Sequence, residues 1–250
     1  MLLAAAGAWL PFEPYRIDLA RILDPPDATA WLGHDDLGRP IWDRLVVGAR
    51  YSLWVAVLVV GISLAAGTFI GAVSAYAGGW LDHLLVRVID IFLAFPGILL
   101  AIALAGLMGP GLDNVVIALS LVGWVGFARL ARAQVLTLKQ RDHVAAAVSL
   151  GAGPGRIVWR HLLPLMAAPL IVEATFAVAG IVIAEAGLSF LGLGIQPPEP
   201  SWGSMIREGS RYMLVTPHMV LAPGIALLLV VLAVNMLGDR LRDRLDVRQS

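Results

Sequence analysis

Three carboxylates stand where water is scarce. Asp90, Glu173 and Glu185 each lie inside a long apolar run. An aspartate at the centre of a membrane helix costs about 2.5–3.5 kcal/mol on insertion scales. Each must therefore face protein, water or a counter-charge. Asp90 follows Arg87 by three residues, so the two can pair on one helix face; the alternative is a charge set in a conduction path. Glu185 precedes "GLSFLGLG" and reads either as a gate-lining group or as an anchor for the loop that follows. Glu173 lies nearer the other end of the same run and is a further candidate for lining a path. Twelve residues separate the two glutamates, about 120° around an ideal helix, so they need not share a face.

Other chemistry is harder to find. The chain has no cysteine, which excludes disulfides, thiolate metal sites and cysteine nucleophiles. His34, His83, His143, His161 and His218 show no metal-ligand spacing, and no serine sits in a nucleophile elbow. The single lysine, Lys139, has no glycine-rich phosphate loop before it. Neither a metal nor a cofactor is implied. If this protein uses ATP, hydrolysis takes place on another polypeptide.

One stretch is of a different kind. "DHVAAAVSLGAGPGRIVWRHLLP", residues 142–164, is polar and punctuated by glycine inside an apolar chain. Asp142 is placed to cap a helix over 143–150. Ala145, Ala146 and Ala147 flatten one side of it, and Gly151 supplies the left-handed residue that ends it. Pro154 and Gly155 shape a turn, 157–163 forms a second short helix, and Pro164 starts the next span. Such an elbow could dock into a groove on another protein. It could equally be a solvated connector whose basic residues set topology.

The elements around these residues are those of a membrane protein. The chain is 59% hydrophobic and 14% charged, against about 25% charged in ordinary soluble domains. Mean hydropathy is +0.82. The formal net charge is zero, so nothing points to nucleic acid. The pattern predicts an all-α, polytopic helix bundle with five clear spans. Residues 1–12 read as the outer end of a partial first span, its beginning lost to a misplaced start codon, or as an interfacial stub. Residues 13–50 form a polar extracytoplasmic segment with a short amphipathic helix over 41–50. The membrane domain covers 51–239, with Gly61, Gly67 and Gly71 available for close helix approach and Pro96 as a kink. Residues 195–215 form a polar outer loop, Thr216 caps the last span, and 240–250 is a charged tail. Basic residues flank 142–164 and the tail, which places both in the cytoplasm. In the outer loop, Trp202 and Tyr212 read as contacts for a partner or as interfacial anchors.

The elbow resembles the "EAA" loop in the membrane subunits of binding-protein-dependent ABC importers. Ala146, Ala147, Gly151, Leu163 and Pro164 match that spacing; Ala145 stands where the family has Glu, and His161 occupies a hydrophobic position, as in the peptide-transporter branch. "WLGHDDLGRPIWDRLVVGARYSL", "AYAGGWLDHLLVRVIDIFLAFP", "AEAGLSFLGLGIQPPEPSWGSMIREG" and "NMLGDRLRDRLD" are similar to the C-type subunit of oligopeptide and dipeptide permeases. The resemblance covers residues 31–246. It implies the type I importer fold with six spans, a bacterial or archaeal plasma membrane, and alternating access driven by ATP. It also implies four partners besides lipid: a homologous permease subunit, two ABC ATPase subunits that receive the elbow as a coupling helix, and an extracytoplasmic substrate-binding protein. The alternative from charge placement alone is an ion-coupled secondary transporter with Asp90 and Glu185 as relays.

Overall fold

The computed structural model describes residues 13–246 apart from Thr29. The expected partial span over 1–12 lies outside the described residues. Among the described residues, eight helices follow a short 3₁₀ turn at Leu19–Arg21: α1 Ile41–Ala77, α2 Gly79–Leu93, α3 Gly97–Met108, α4 Leu112–Leu138, α5 Asp142–Ser149, α6 Pro154–Phe190, α7 Trp202–Ser210 and α8 His218–Asp246. No β-strand occurs among the described residues; His34 and Pro40 make one isolated bridge.

Four helices, α1, α4, α6 and α8, are long and apolar enough to cross a bilayer. The expected span over 83–109 is no kinked helix. It is two helices, α2 and α3, bent by 85°. Pro96 has no N–H to donate and steers Phe95 away from helical geometry, so the chain breaks before it. At 1.5 Å per residue neither piece alone covers a hydrocarbon core of about 30 Å. The short helix expected over 41–50 is instead the start of α1, which runs unbroken past Arg50.

The described chain forms two compact units. One takes in the residues up to Leu58, Ile102–Ala118 and Ala179–Ala233; the other takes in Val59–Ala101, Leu119–Val178 and the residues from Val234 onward.

In the first unit, the expected loop over 195–215 contains a helix. Ser201 and Ser204 cap α7 reciprocally: the Ser201 hydroxyl accepts from the Ser204 N–H at 3.2 Å, and the Ser204 hydroxyl accepts from the Ser201 N–H at 2.9 Å. This is a capping box with serine in the place of the usual Glu or Gln. Small residues let α7 wedge deeply. A Cβ on Gly203 would stand 2.2 Å from the Ala186 carbonyl oxygen of α6. Thr216 does not cap α8; its hydroxyl donates back to the Tyr212 carbonyl at 3.3 Å.

In the second unit, α1 crosses α4 at close range. A Cβ on Gly67 would meet the Trp124 carbonyl oxygen at 2.4 Å, and one on Gly71 the Ala128 carbonyl oxygen at 2.2 Å. Gly61, by contrast, faces open space. Phe92 stacks edge-to-face on Trp124 at 5.6 Å, over a cluster of Leu85, Ile89, Val125 and Ala128. Arg132 grips Asp82 with two 2.7 Å bonds, and Lys139 donates to the Ala75 carbonyl at 3.0 Å. These contacts put the Gly78–Gly79 turn beside the end of α4, at the base of the elbow.

Candidate functional site

The elbow begins at Asp142, but Asp142 is no cap. It is the first residue of α5, and Arg141 precedes it with no side-chain capping bond. The other end follows the sequence pattern closely. Gly151 has φ +82, its N–H bonds the Val148 carbonyl, and the Ala152 N–H bonds the Ala147 carbonyl. Those two bonds form a Schellman ending, which needs a left-handed residue at Gly151.

After Pro154 the expected second short helix is absent as a separate element. Residues 154–190 are one helix whose Ile157–Leu162 turns are wide, π-helical ones. Pro164 therefore lies inside α6. In a regular α-helix its ring would press on the Arg160 carbonyl. The wider turns, in which the Leu163 N–H reaches back five residues to Val158, relieve that conflict.

Val144, Ile157 and Leu162 are buried, and α5 packs on the π-helical turns. The outward surface is apolar. Ala145 and Ala146 are exposed and Ala147 half-buried. Leu150 is 88% exposed and Trp159 62%, with Val148 also exposed. Arg141, Arg156 and Arg160 lie exposed around them, while His161 and Leu163 are half-buried. The flat alanines are legible in the sequence, but the exposure of these larger side chains is not. The available signal was Leu150, an apolar residue at the end of a polar, water-facing helix. The arrangement offers a bulky apolar knob with a basic rim, suited to an apolar groove with acidic edges.

The three carboxylates part company. Asp90 faces Arg87 at 4.0 Å, and both are exposed. Glu185 is 0% exposed. The Ser189 hydroxyl donates to it at 2.6 Å and accepts from the Ile195 N–H at 3.4 Å, so this carboxylate braces the loop after α6. Glu173 lines a cavity of about 560 Å³ with Gln134, Phe176 and Arg242.

His34 with Asp35 and Asp36 read in the sequence only as a weak cluster; the structure joins Asp35 and Asp36 to Arg39, Arg44 and Glu208. Asp35, 1% exposed, accepts from the Leu37 and Arg39 N–H groups at 2.9 Å each, from Arg39 Nε at 2.7 Å and from Arg44 Nη1. Arg44 and Arg39 also donate to Glu208 of α7, at 2.8 and 3.3 Å. This network welds "HDDLGRPIWDR" to α7. Asp35, Asp36 and Glu208 offer oxygens within 4.8 Å of one another, but the guanidiniums of Arg39 and Arg44 already pair with them, which makes the cluster an ion network. Asp36 is pushed above the usual aspartate range, first by burial and then by Asp35 and Glu208, with Arg39 and Arg44 opposing.

Trp202 does not serve the role expected of it. It is 3% exposed, and its indole N–H donates to the Leu45 carbonyl at 3.1 Å. It anchors α7 to α1 and presents no contact surface. Tyr212 is half-buried, and the residues after it, Met213, Leu214 and Val215, are the exposed ones.

The family model described as "Binding-protein-dependent transport system inner membrane component" matches residues 67–250, the elbow included. The chain belongs to this family. It is 41% identical over 251 residues to the glutathione transport system permease protein GsiD of Pectobacterium atrosepticum, covering 98% of this chain and 83% of that protein. It is 45% identical over 228 residues to the dipeptide transport system permease protein DppC of Alkalihalophilus pseudofirmus, covering 91% and 75%. The fold is similar to an inward-facing structure of the MetNI methionine ABC transporter, with a TM-score of 0.63 at 21% identity over 82% of this chain and 98% of that one. A second inward-facing structure of that transporter gives a TM-score of 0.59.

The protein is thus a permease subunit of an ABC importer in the peptide-permease branch. Membership gives the motifs a setting. Ala145, where the resemblance leads one to expect Glu, is exposed on α5, and an alanine there puts no charge on that surface.

Proposed function

We propose that this permease subunit pairs with a homologous subunit in a bacterial or archaeal plasma membrane and carries peptides or related small solutes, as its relatives' names suggest. Two separate ABC ATPase subunits bind the elbow from the cytoplasm, and an extracytoplasmic binding protein delivers the solute. ATP-driven closure of the ATPases pushes on α5. Because α5 packs on the first turns of α6, the push passes directly into a spanning helix. The observation that carries this reading is the exposed surface formed by Ala145, Ala146, Leu150 and the Gly151 turn. Leu163 and Pro164 belong to α6 and transmit the displacement, with His161 beside them. Tyr212 and the exposed residues 213–215 offer the opposite contact, toward the binding protein. Among the carboxylates we place Glu173 beside the solute path; Glu185 and Asp90 serve structure through Ser189 and Arg87.

The test is a tagged pull-down from native membrane in mild detergent, with each co-purifying polypeptide identified. Recovery of a second multi-span subunit and Walker-motif ATPases is the expected outcome. Leu150→Asp should strip the ATPases while sparing the second permease. A chain that purifies alone and transports without ATP would overturn the proposal.

A further inference from the structure

Of Asp82, Asp90, Glu173 and Glu185, Glu173 is the one without a partner among the described residues. Asp82 has Arg132, Asp90 faces Arg87, and Glu185 has Ser189. Glu173 has no hydrogen bond or ion pair among the described residues. Gly126 of α4 lies beside it, and a Cβ there would make ordinary contact with Glu173 Oε1 at 3.8 Å. The cavity it lines also takes in Gln134, whose amide likewise has no hydrogen-bond partner among the described residues, and the ring of Phe176. Leu130 and Val172 supply apolar wall. Arg242 lies at the same cavity and is engaged in an interaction of its own.

A carboxylate, an amide oxygen and an aromatic ring facing one cavity are the usual parts of an ammonium site. The carboxylate supplies charge, the amide an acceptor, and the ring its negative face. We infer that this cleft binds the protonated amine of a solute in passage, with Glu173 as counter-ion, Gln134 as second acceptor and Phe176 beneath it. This rests on the permease reading given above. Access to water and selection by charge are properties of the cleft itself, so they can be measured without transport.

The natural chain has no cysteine, which makes a clean labelling experiment available. Gln134→Cys and, separately, Ala168→Cys place one thiol on the cleft wall. Each is made with Glu173 and with Glu173→Gln, and labelled in membrane vesicles holding the whole assembly. The probes are a trimethylammonium-ethyl and a sulfonato-ethyl methanethiosulfonate, with rates normalised to those of free cysteine. With Glu173 present the cationic reagent should be favoured by about tenfold, and Glu173→Gln should abolish the preference. Alanyl-alanine amide should slow labelling of Ala168→Cys, while its N-acetylated, uncharged analogue should not. Thiols inert to both reagents would mean that lipid or a partner subunit fills the cleft, and would overturn the inference. So would a preference unchanged by Glu173→Gln, or equal protection by both amides. None of these outcomes changes which subunits co-purify, so failure here is distinct from failure of the importer reading.

Discussion

Replacing Asp35 by asparagine tests the ion network directly. The carboxylate accepts four hydrogen bonds at 1% exposure, two from backbone and one from each of two arginines. Asparagine keeps one oxygen and turns an NH₂ group toward donors. Arg44, its side chain 3% exposed, would keep only Glu208. Breaking a buried pair by removing one partner costs about 3–5 kcal/mol. Glu208 remains as a second acceptor, so the low end, about 3 kcal/mol, is expected. For a chain of this size that is a fall in midpoint of roughly 6–12 °C. Thermal unfolding of the purified protein in one fixed detergent, followed by tryptophan fluorescence, would read it. The reference is Asp90→Asn, whose exposed partner at 4.0 Å predicts a loss of only about 0–1 kcal/mol. If the two variants melt together, the network does not hold the 31–44 segment to α7 and the reasoning fails. A double-mutant cycle with Glu208→Gln should also show coupling, because both acids meet at Arg44.

Two further outcomes are expected. Gly71→Val should loosen the crossing of α1 and α4, since its Cβ would sit 2.2 Å from the Ala128 carbonyl oxygen; a loss of about 1–3 kcal/mol is expected, and Gly61→Ala, facing open space, should be near neutral in the same melt. Asp36 holds its proton more tightly in the folded protein than in the unfolded chain, so its ionisation opposes folding, and stability should fall as pH rises from the ordinary aspartate range through the raised value. Asp36→Asn should flatten that dependence above the ordinary aspartate range and raise the midpoint at neutral pH; a variant less stable than the parent at neutral pH would contradict this.

Much of the elbow was legible because its signals are local. A positive-φ glycine ends α5 through bonds to residues three and five positions back, and any reader of "AAAVSLGAG" can anticipate it. The break at Pro96 is equally local, a missing N–H and a ring clash, although the sequence suggested a kink where the chain turns by 85°. Trp202 was misread because aromatic residues in a polar stretch suggest a surface. Nothing in one sequence reveals that Leu45, 157 residues earlier, offers its indole a carbonyl. The helix α7 was missed for a related reason: its capping box uses Ser204 in place of Glu or Gln, and its burial comes from glycines pressed against α6 and α8.

The sequence by itself determined the class of protein. Apolar runs of span length, the lack of a phosphate loop and the spaced motifs need no third dimension, because hydropathy and backbone sterics act within a few residues. Tertiary structure decided what each charge is for. Asp90, Glu173 and Glu185 look alike in an apolar run, yet one faces a neighbouring arginine, one braces a loop and one opens onto a cleft. Arg87 and Ser189 lie within about one turn of their acids and are local partners, whereas the burial of Glu185 and the cleft that Glu173 shares with Gln134 and Arg242 arise only once distant parts of the chain pack, and the chain positions of Gln134 and Arg242 carry no mark of that proximity.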